Sequence, residues 1–212
     1  HELRIPIPMV TIIQSGKSVA GKVICVKEFM IVTGTKIPVD KSVEHIQNIF
    51  QHVSRSISAK HGPLAKLVNE TGALCPQFET VNQAIDILLE AVSAQGLTIG
   101  EDIHLAINGA GHESYDHDKD KYEVVTGLYK SSDEMIDFWV DIIKKYPSII
   151  AVIDPLRFED IERWLILCEK ISESVLVIGD KFFERPGILR LMELPIQTSG
   201  IVLHMERMNT VS

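Results

Sequence analysis

Four polar positions at the ends of predicted strands carry the residue types that could do chemistry in this chain. Asn108, Asp154, Asp180 and His204 each follow an apolar run. In parallel α/β architectures the chemistry sits at the carboxyl ends of the strands. An imidazole exchanges protons near neutral pH, and carboxylate oxygens bind hard cations such as Mg²⁺. These positions are therefore the first place to look for an active site.

Hydrophobic periodicity predicts the elements that position these residues. Apolar residues at three- and four-residue steps, bounded by start and stop residues, predict helices, and short runs rich in Val and Ile predict strands. The predicted strands are 7–14, 22–33, 103–107, 149–153, 175–178 and 201–203. The predicted helices are 43–61, 80–96, 132–145, 158–168 and 186–194. Residues 108–121 are predicted to be a loop, with a solvated charged turn at 116–121.

The order of these elements indicates the fold class. Two strands and two helices come first, and strands then alternate with helices. Strands that are apolar throughout and alternate with helices are typical of a parallel sheet covered by helices. The sequence contains no linker, repeat or low-complexity tract that would divide the chain, so we expect one α/β unit.

Composition excludes several classes of protein. The 212 residues include 21 Lys+Arg and 29 Asp+Glu, a formal net charge of −8, which argues against a nucleic-acid backbone binder. No apolar run reaches the roughly 18 residues that a membrane span needs. Cys25, Cys75 and Cys168 match neither a disulfide framework nor a paired-cysteine zinc site, which indicates a reducing compartment such as the cytoplasm. Because the chain starts at His1 rather than Met, we expect a processed or truncated piece.

Four short motifs, in order and in register, resemble the C-terminal barrel domain of enolase. Residues 27–31 (KEFMI) resemble the family's QEFMI strand, and residues 153–155 (IDP) resemble its IEDP strand end. Residues 179–181 (GDK) and 201–204 (IVLH) correspond to its GDD and LLLK. The resemblance covers essentially the whole chain, so it implies one enolase-type, TIM-like α/β barrel domain over 1–212. About six strands are recognisable against the eight of a closed barrel, so we expect the barrel to be incomplete.

The resemblance also implies an activity. Enolases act in glycolysis as phosphopyruvate hydratases: they dehydrate 2-phosphoglycerate to phosphoenolpyruvate. A lysine removes the proton beside the carboxylate, and magnesium ions stabilise the resulting dianion. Such a weak carbon acid needs metal ions to hold the negative charge of the intermediate.

Carried over by position, the family's metal carboxylates fall on Asn108, Ile153 and Asp180, so the resemblance implies that Asp180 alone is retained as a metal ligand. His204 stands at the position of the lysine base, a role that histidine serves in relatives of the superfamily. Glu28 matches the first glutamate of the opposite pair, which contacts substrate and the general acid.

The general acid position falls on Thr71, or on Glu70 if the register slips by one residue. Thr71 is a poor proton donor near neutral pH. The mobile lid motif resembles residues 18–21, with Val19 where the family has a histidine. The family's phosphate-holding residues and its second lysine would lie beyond Ser212.

These departures leave two hypotheses open. In the first, the site is eroded and Asp180, His204 and Glu28 no longer take part in chemistry. Asp180 would then pair with Lys181 or a nearby loop, and His204 would fill the space of the lysine. The departures resemble those of a divergent branch of the family in the sperm tail, which implies flagellar or cytoskeletal protein partners. Because enolases commonly pair, the resemblance also implies a possible dimer. In the second, the chain is an active hydratase that uses His204 as base and recruits Mg²⁺ together with 2-phosphoglycerate.

Overall fold

The computed structural model describes residues 5–17, 19, 24–62, 68–183 and 198–204. Within those residues the strands are β1 (Met9–Gln14), β2 (Glu28–Thr33), β3 (Ile103–Asn108), β4 (Tyr115–Asp116), β5 (Lys121–Val125), β6 (Leu128–Lys130), β7 (Ile149–Ile153), β8 (Leu176–Gly179) and β9 (Gly200–Ile201). The helices are α1 (Val39–His61), α2 (Val81–Ala94), α3 (Gly111–Ser114), α4 (Ser132–Lys145) and α5 (Ile161–Ile171).

Six of these strands form the main sheet, in the order β1-β2-β3-β7-β8-β9. Strand β2 is antiparallel to both β1 and β3, whereas β3, β7, β8 and β9 are parallel. In the described part of the chain, β1 and β9 are the two edge strands, and the outer edge of β1 forms only a short parallel bridge to Leu74. The sheet is therefore an open portion of a barrel. The predicted α/β class and incomplete barrel are confirmed.

Helix α4 illustrates how the sequence places a crossover against the sheet. It begins at a capping box, in which the Ser131 hydroxyl accepts from the Glu134 N–H and the Glu134 carboxylate accepts from the Ser131 N–H. One apolar face of the helix is buried, including Trp139. The Trp139 indole Nε1–H donates to the Pro155 carbonyl at 2.8 Å, so the helix also fixes the turn that follows β7.

Two apolar clusters occupy the two faces of the main sheet. The larger cluster lies on the outer face of the sheet, where the helices pack, and contains Trp139 and Trp164. The smaller lines the inner face and consists of Met30, Val32, Ala106, Ala151 and Ile153. Side chains alternate between the two faces of a strand, so inner-face positions continue along each strand to its polar end.

The predicted loop at 108–121 is wrong. Helix α3 and strand β4 lie inside it, and β4, β5 and β6 form a three-stranded antiparallel sheet. The buried side chain of Tyr122 anchors this small sheet, because its hydroxyl donates to Asp160 and accepts from the Arg157 N–H. The strands are short and rich in Tyr and charged residues, so the hydrophobic pattern of a buried strand is missing.

The start of the second strand is also wrong. Residues 24 and 25 pair with the small sheet and not with the main sheet, because Ile24 bridges Val125 and the Cys25 N–H donates to the Val124 carbonyl. The chain rejoins the main sheet at Lys27, whose N–H donates to the Asn108 carbonyl. Strand β2 therefore begins at Glu28. The predicted helix 186–194 lies outside the described residues. Among the residues described, no helix is both long and apolar enough to span a membrane.

Candidate active site at the carboxyl end of the sheet

One edge of the main sheet gathers most of the polar residues singled out by the sequence. The parallel strands β3, β7, β8 and β9 all end there, and antiparallel β2 begins there. The described strands thus bring Glu28, Asn108 and Ile153 to this edge, with Asp180 and His204 just beyond β8 and β9. We call this edge the mouth.

Glu28 and Asn108 form the first polar pair of the mouth. They face each other directly in the register between β2 and β3. The Asn108 Nδ2 donates to Glu28 Oε2 at 2.7 Å, and the Thr11 hydroxyl donates to Glu28 Oε1 at 3.3 Å. The Asn108 Oδ1 accepts from the Ala110 N–H at 2.9 Å. Both ends of the buried Asn108 amide are therefore engaged within the protein.

Asp180 and His204 form the second polar pair. The His204 Nε2 lies 2.5 Å from Asp180 Oδ1, and both side chains are about a quarter exposed, at 29% and 23%. An ionised carboxylate only accepts hydrogen bonds, so the imidazole donates from Nε2. This contact fixes the orientation of the ring. The sequence left open a pairing of Asp180 with Lys181. At Asp180 Oδ1 the partner is His204 instead.

Ile153 lies between the two pairs. In the strand order its Cα pairs with Asn108 on β3 and with Ile178 on β8. The residue is 6% exposed, and its side chain belongs to the inner apolar cluster. An apolar side chain offers no ligand atom, so it separates the two polar pairs instead of linking them.

Asp154 is the carboxylate next to Ile153, and its oxygens are engaged by the backbone. Its Oδ1 accepts from the Asp180 N–H and its Oδ2 from the Lys181 N–H, both at 2.8 Å. Burial raises the pKa of the Asp154 carboxyl, although the two backbone N–H groups oppose the rise. Asp154 therefore braces the turn after β8 and does not replace the carboxylate absent at Ile153.

The residues present do not fit the magnesium ion that enolases generally use. Mg²⁺ requires oxygen ligands in a near-octahedral shell. Of the three positions that hold the metal carboxylates in the family, Ile153 supplies no oxygen. The side-chain oxygen of Asn108 accepts from a backbone N–H, and Asp180 is paired with His204. Across the described ranges, no three His, Cys, Asp or Glu side chains converge in a way that could hold a metal ion.

The position of the family's general acid holds a hydroxyl tied to its own turn. The Thr71 hydroxyl donates to Asn69 Oδ1 at 2.8 Å and reaches Gln14, the last residue of β1, at 3.3 Å. Glu70 is exposed beside it. In the lid motif only Val19 lies within the described residues.

Sequence reasoning missed one ion pair and one anchor at the mouth. The Lys27 Nζ lies 2.6 Å from Glu113 Oε1 and ties the segment before β2 to helix α3. This contact spans 86 residues, and no local pattern signals it. The anchoring role of Asp154 had a weak signal, because an aspartate directly before a proline favours turns.

Comparisons with known proteins show relatives over most of this chain. A family model described as the enolase C-terminal TIM barrel domain matches residues 2–190. The chain is similar to Enolase 4 from Xenopus tropicalis, 36% identical over 181 residues that make up 84% of this chain and 32% of that protein. It is also similar to Enolase 4 from Homo sapiens, 35% identical over 194 residues, and from Mus musculus, 37% identical over 191 residues. These matches cover 84% and 82% of this chain and 31% of each relative, so the chain spans about a third of the length of the curated relatives it matches.

Proposed function

The chain belongs to the enolase family. On that premise we propose that it is a barrel domain that has lost the family's magnesium chemistry and serves a structural role in the sperm flagellum. The proposed domain spans 1–212 and contributes about six strands of the barrel. Its partners would be flagellar or cytoskeletal proteins, and its compartment the cytoplasm of the flagellum. The similarity to Enolase 4 proteins and the sperm-tail branch that the sequence resembles support this setting.

The observation that carries the proposal is the position of Ile153 between two closed polar pairs. A carbanion beside a carboxylate is a high-energy intermediate, and enolases depend on metal ions to hold its charge. At this mouth Glu28 is satisfied by Asn108 and Asp180 by His204. Each carboxylate is thus balanced by a neighbouring donor, and an apolar side chain separates them.

One observation favours the competing hypothesis of an active hydratase. His204 retains a ring fixed by a carboxylate, and an imidazole oriented in this way is suited to act as a general base. Glu28 lies at the same mouth and would contact the substrate. A base alone does not stabilise the dianion, however, so this hypothesis needs charge stabilisation that the described residues do not supply.

The enzymatic half of the proposal is tested by phosphoenolpyruvate formation from 2-phosphoglycerate. The purified full-length protein is assayed over a range of magnesium concentrations, with His204→Ala and Asp180→Ala as matched variants. We expect no turnover above that of the variants. Magnesium-dependent turnover that either substitution abolishes would contradict the proposal and establish the hydratase.

The structural half is tested in sperm. We expect the protein to remain with the axoneme and its accessory structures after detergent extraction of membranes and soluble enzymes. A tubulin subunit serves as the retained control and a soluble glycolytic enzyme as the released control. Release of the protein together with the soluble enzyme would contradict a structural role.

A further inference from the structure

Asp154 has a backbone conformation that an ordinary residue avoids. Its φ is +40°, and it is one of three residues other than glycine with positive φ in the described part of the chain. Such a conformation is unfavourable and persists only where the surroundings determine it. The residue is also only 4% exposed, so its carboxyl group is largely removed from water.

Three strand ends are joined through the polar groups of Asp154. Its N–H donates to the Ile178 carbonyl on β8 at 2.9 Å. Its carbonyl accepts from the Gly111 N–H, in the segment after β3, at 2.9 Å. Its carboxylate accepts from the Asp180 and Lys181 N–H groups. The unfavourable conformation and burial are therefore offset by hydrogen bonds to β8 and to the segments that follow β3 and β8.

Space around this residue is equally restricted. A Cβ on Gly109 would lie 2.9 Å from the Asp154 carbonyl oxygen and 2.9 Å from Trp139 Cζ2. The segment after β3 and the turn after β7 are thus in direct contact. The backbone of Asp154 therefore has little room to shift towards the segment after β3.

The direction of the Asp180 side chain follows from the backbone that Asp154 holds. The bonds to two consecutive N–H groups fix the peptide planes on both sides of the Asp180 Cα atom. A short 3₁₀ turn, Lys181–Phe183, starts there, with the Phe183 N–H bonded to the Asp180 carbonyl. With its backbone fixed in this way, Asp180 Oδ1 points at His204 Nε2.

We propose that Asp154 is a positioning residue: by accepting two backbone hydrogen bonds at the end of β8, it sets the Asp180 carboxylate against His204 and thereby fixes the proton on the His204 Nε2. The inference concerns the geometry of the pair and stands apart from whether the pair acts on a substrate. Failure of the proposed function would appear in the turnover assay, whereas failure of this inference appears in spectra of the resting protein.

The first test uses the unmodified full chain. Amide hydrogen exchange should be slowed at both Asp180 and Lys181, since each N–H is bonded to a buried carboxylate. Exchange at the rate of an unstructured chain at both positions would overturn the inference. This measurement does not depend on any variant folding.

The second test substitutes the carboxylate and reads the imidazole. Asn tolerates positive φ, so Asp154→Asn keeps the backbone preference but replaces one acceptor by an N–H₂ group that cannot accept. A long-range ¹H–¹⁵N correlation spectrum at fixed pH reports which ring nitrogen of His204 carries the proton. In the unmodified chain we expect the signature of a protonated, hydrogen-bonded Nε2, and in Asp154→Asn we expect its loss.

Asp160→Asn is the matched control. Asp160 is also a carboxylate shielded from solvent, bonded to Tyr122 and Arg157, but it does not contact the end of β8. We expect it to lower stability without altering the His204 spectrum. If Asp154→Asn leaves the His204 signature unchanged, or if Asp160→Asn changes it equally, the inference is wrong.

Discussion

The two polar pairs of the mouth differ in what holds them together. Glu28 and Asn108 lie on adjacent strands and face each other in the sheet register. Asp180 and His204 lie beyond the ends of β8 and β9, whose pairing extends over two residue pairs, Ile178 with Gly200 and Gly179 with Ile201. The first pair is a property of the sheet, whereas the second depends on the turn that Asp154 braces.

This difference separates two ways in which a polar pair can be held in place. A pair set by strand register persists as long as the sheet folds, because moving one partner would shift the whole strand. A pair set by a turn depends on a few specific contacts. We therefore expect perturbations to break the Asp180–His204 pair before they break the Glu28–Asn108 pair.

The largest effect is expected from Gly111→Ala. A Cβ at this position would lie 2.4 Å from the Leu156 carbonyl carbon and 2.7 Å from the Arg157 nitrogen, and neither backbone atom can move easily. We expect a loss of about 3 kcal/mol in the free energy of unfolding, measured by denaturant titration. The Gly111 N–H bond to Asp154 should also be lost, which loosens the turn-held pair.

Gly200→Ala is the control for that substitution. A Cβ on Gly200 would meet Ile178 Cγ1 at 4.0 Å, an ordinary contact. We expect a change within about 0.5 kcal/mol. Equal destabilisation by both substitutions would contradict the packing that we describe around the β7 turn.

Double-mutant cycles should rank the two pairs. For Glu28→Ala with Asn108→Ala we expect a coupling energy of about 2 kcal/mol, because the buried Asn108 amide donates a hydrogen bond to the Glu28 carboxylate. For Asp180→Ala with His204→Ala we expect at most about 1 kcal/mol, because both side chains are partly exposed. A larger coupling in the second cycle would reverse the comparison.

A carboxylate outside both pairs provides a pH-dependent reference. Burial tends to raise the pKa of Asp160, but hydrogen bonds from Arg157 and Tyr122 outweigh it and leave the pKa below its usual value. A lowered pKa in the folded state stabilises the protein above the unfolded-state pKa, about 3.9, and this contribution is lost as pH falls through the folded value.

We therefore expect Asp160→Asn to cost about 1 kcal/mol at neutral pH and progressively less below about pH 4. Unfolding titrations of both proteins from pH 3 to pH 8 measure the difference. A deficit that stays constant, or that grows on acidification, would mean that the Asp160 carboxylate does not make these contacts in its ionised form.

The smallest effect is on thiol labelling, which reports which side of the mouth opens first. Burial raises the pKa of the Cys25 thiol to about 12 and that of Cys168 to about 11. Cys75 is only partly buried. A thiolate is the reactive form, so we expect iodoacetamide to label Cys75 first.

In dilute denaturant Cys168, on the helix between β7 and β8, should become reactive before Cys25, which lies three residues before Glu28. Peptide mass spectrometry distinguishes the three sites. Labelling of Cys25 before Cys168 would indicate that the register-held side is the weaker one.

The sequence predicted the framework well because apolar periodicity encodes it directly. Helix α4 has the predicted bounds, 132–145, since a capping residue precedes it and Pro147 follows it. Ile153 at the end of a strand was recognisable as a residue that binds no metal. The chemistry of a single residue type is local information, and it needs no structure.

The contacts within the mouth could not be predicted from the sequence. The Glu28–Asn108 contact depends on strand register across 80 residues, and the Asp180–His204 contact on a turn anchored from β7. The sheet of β4, β5 and β6 was missed because its strands are short and are anchored by the hydroxyl contacts of Tyr122, which no local pattern signals. Such tertiary contacts override local pattern.

Direct metal binding tests whether this mouth holds the metal ion of its family. Mn²⁺, an electron-paramagnetic-resonance probe for a magnesium site, is titrated into the full-length protein with and without 2-phosphoglycerate, and Asp180→Asn is measured in parallel. We predict that the spectrum of the free aqueous ion persists in both proteins at millimolar concentrations. Loss of the free-ion signal in the unmodified protein, reversed by Asp180→Asn, would show a metal site at the mouth and favour an active hydratase.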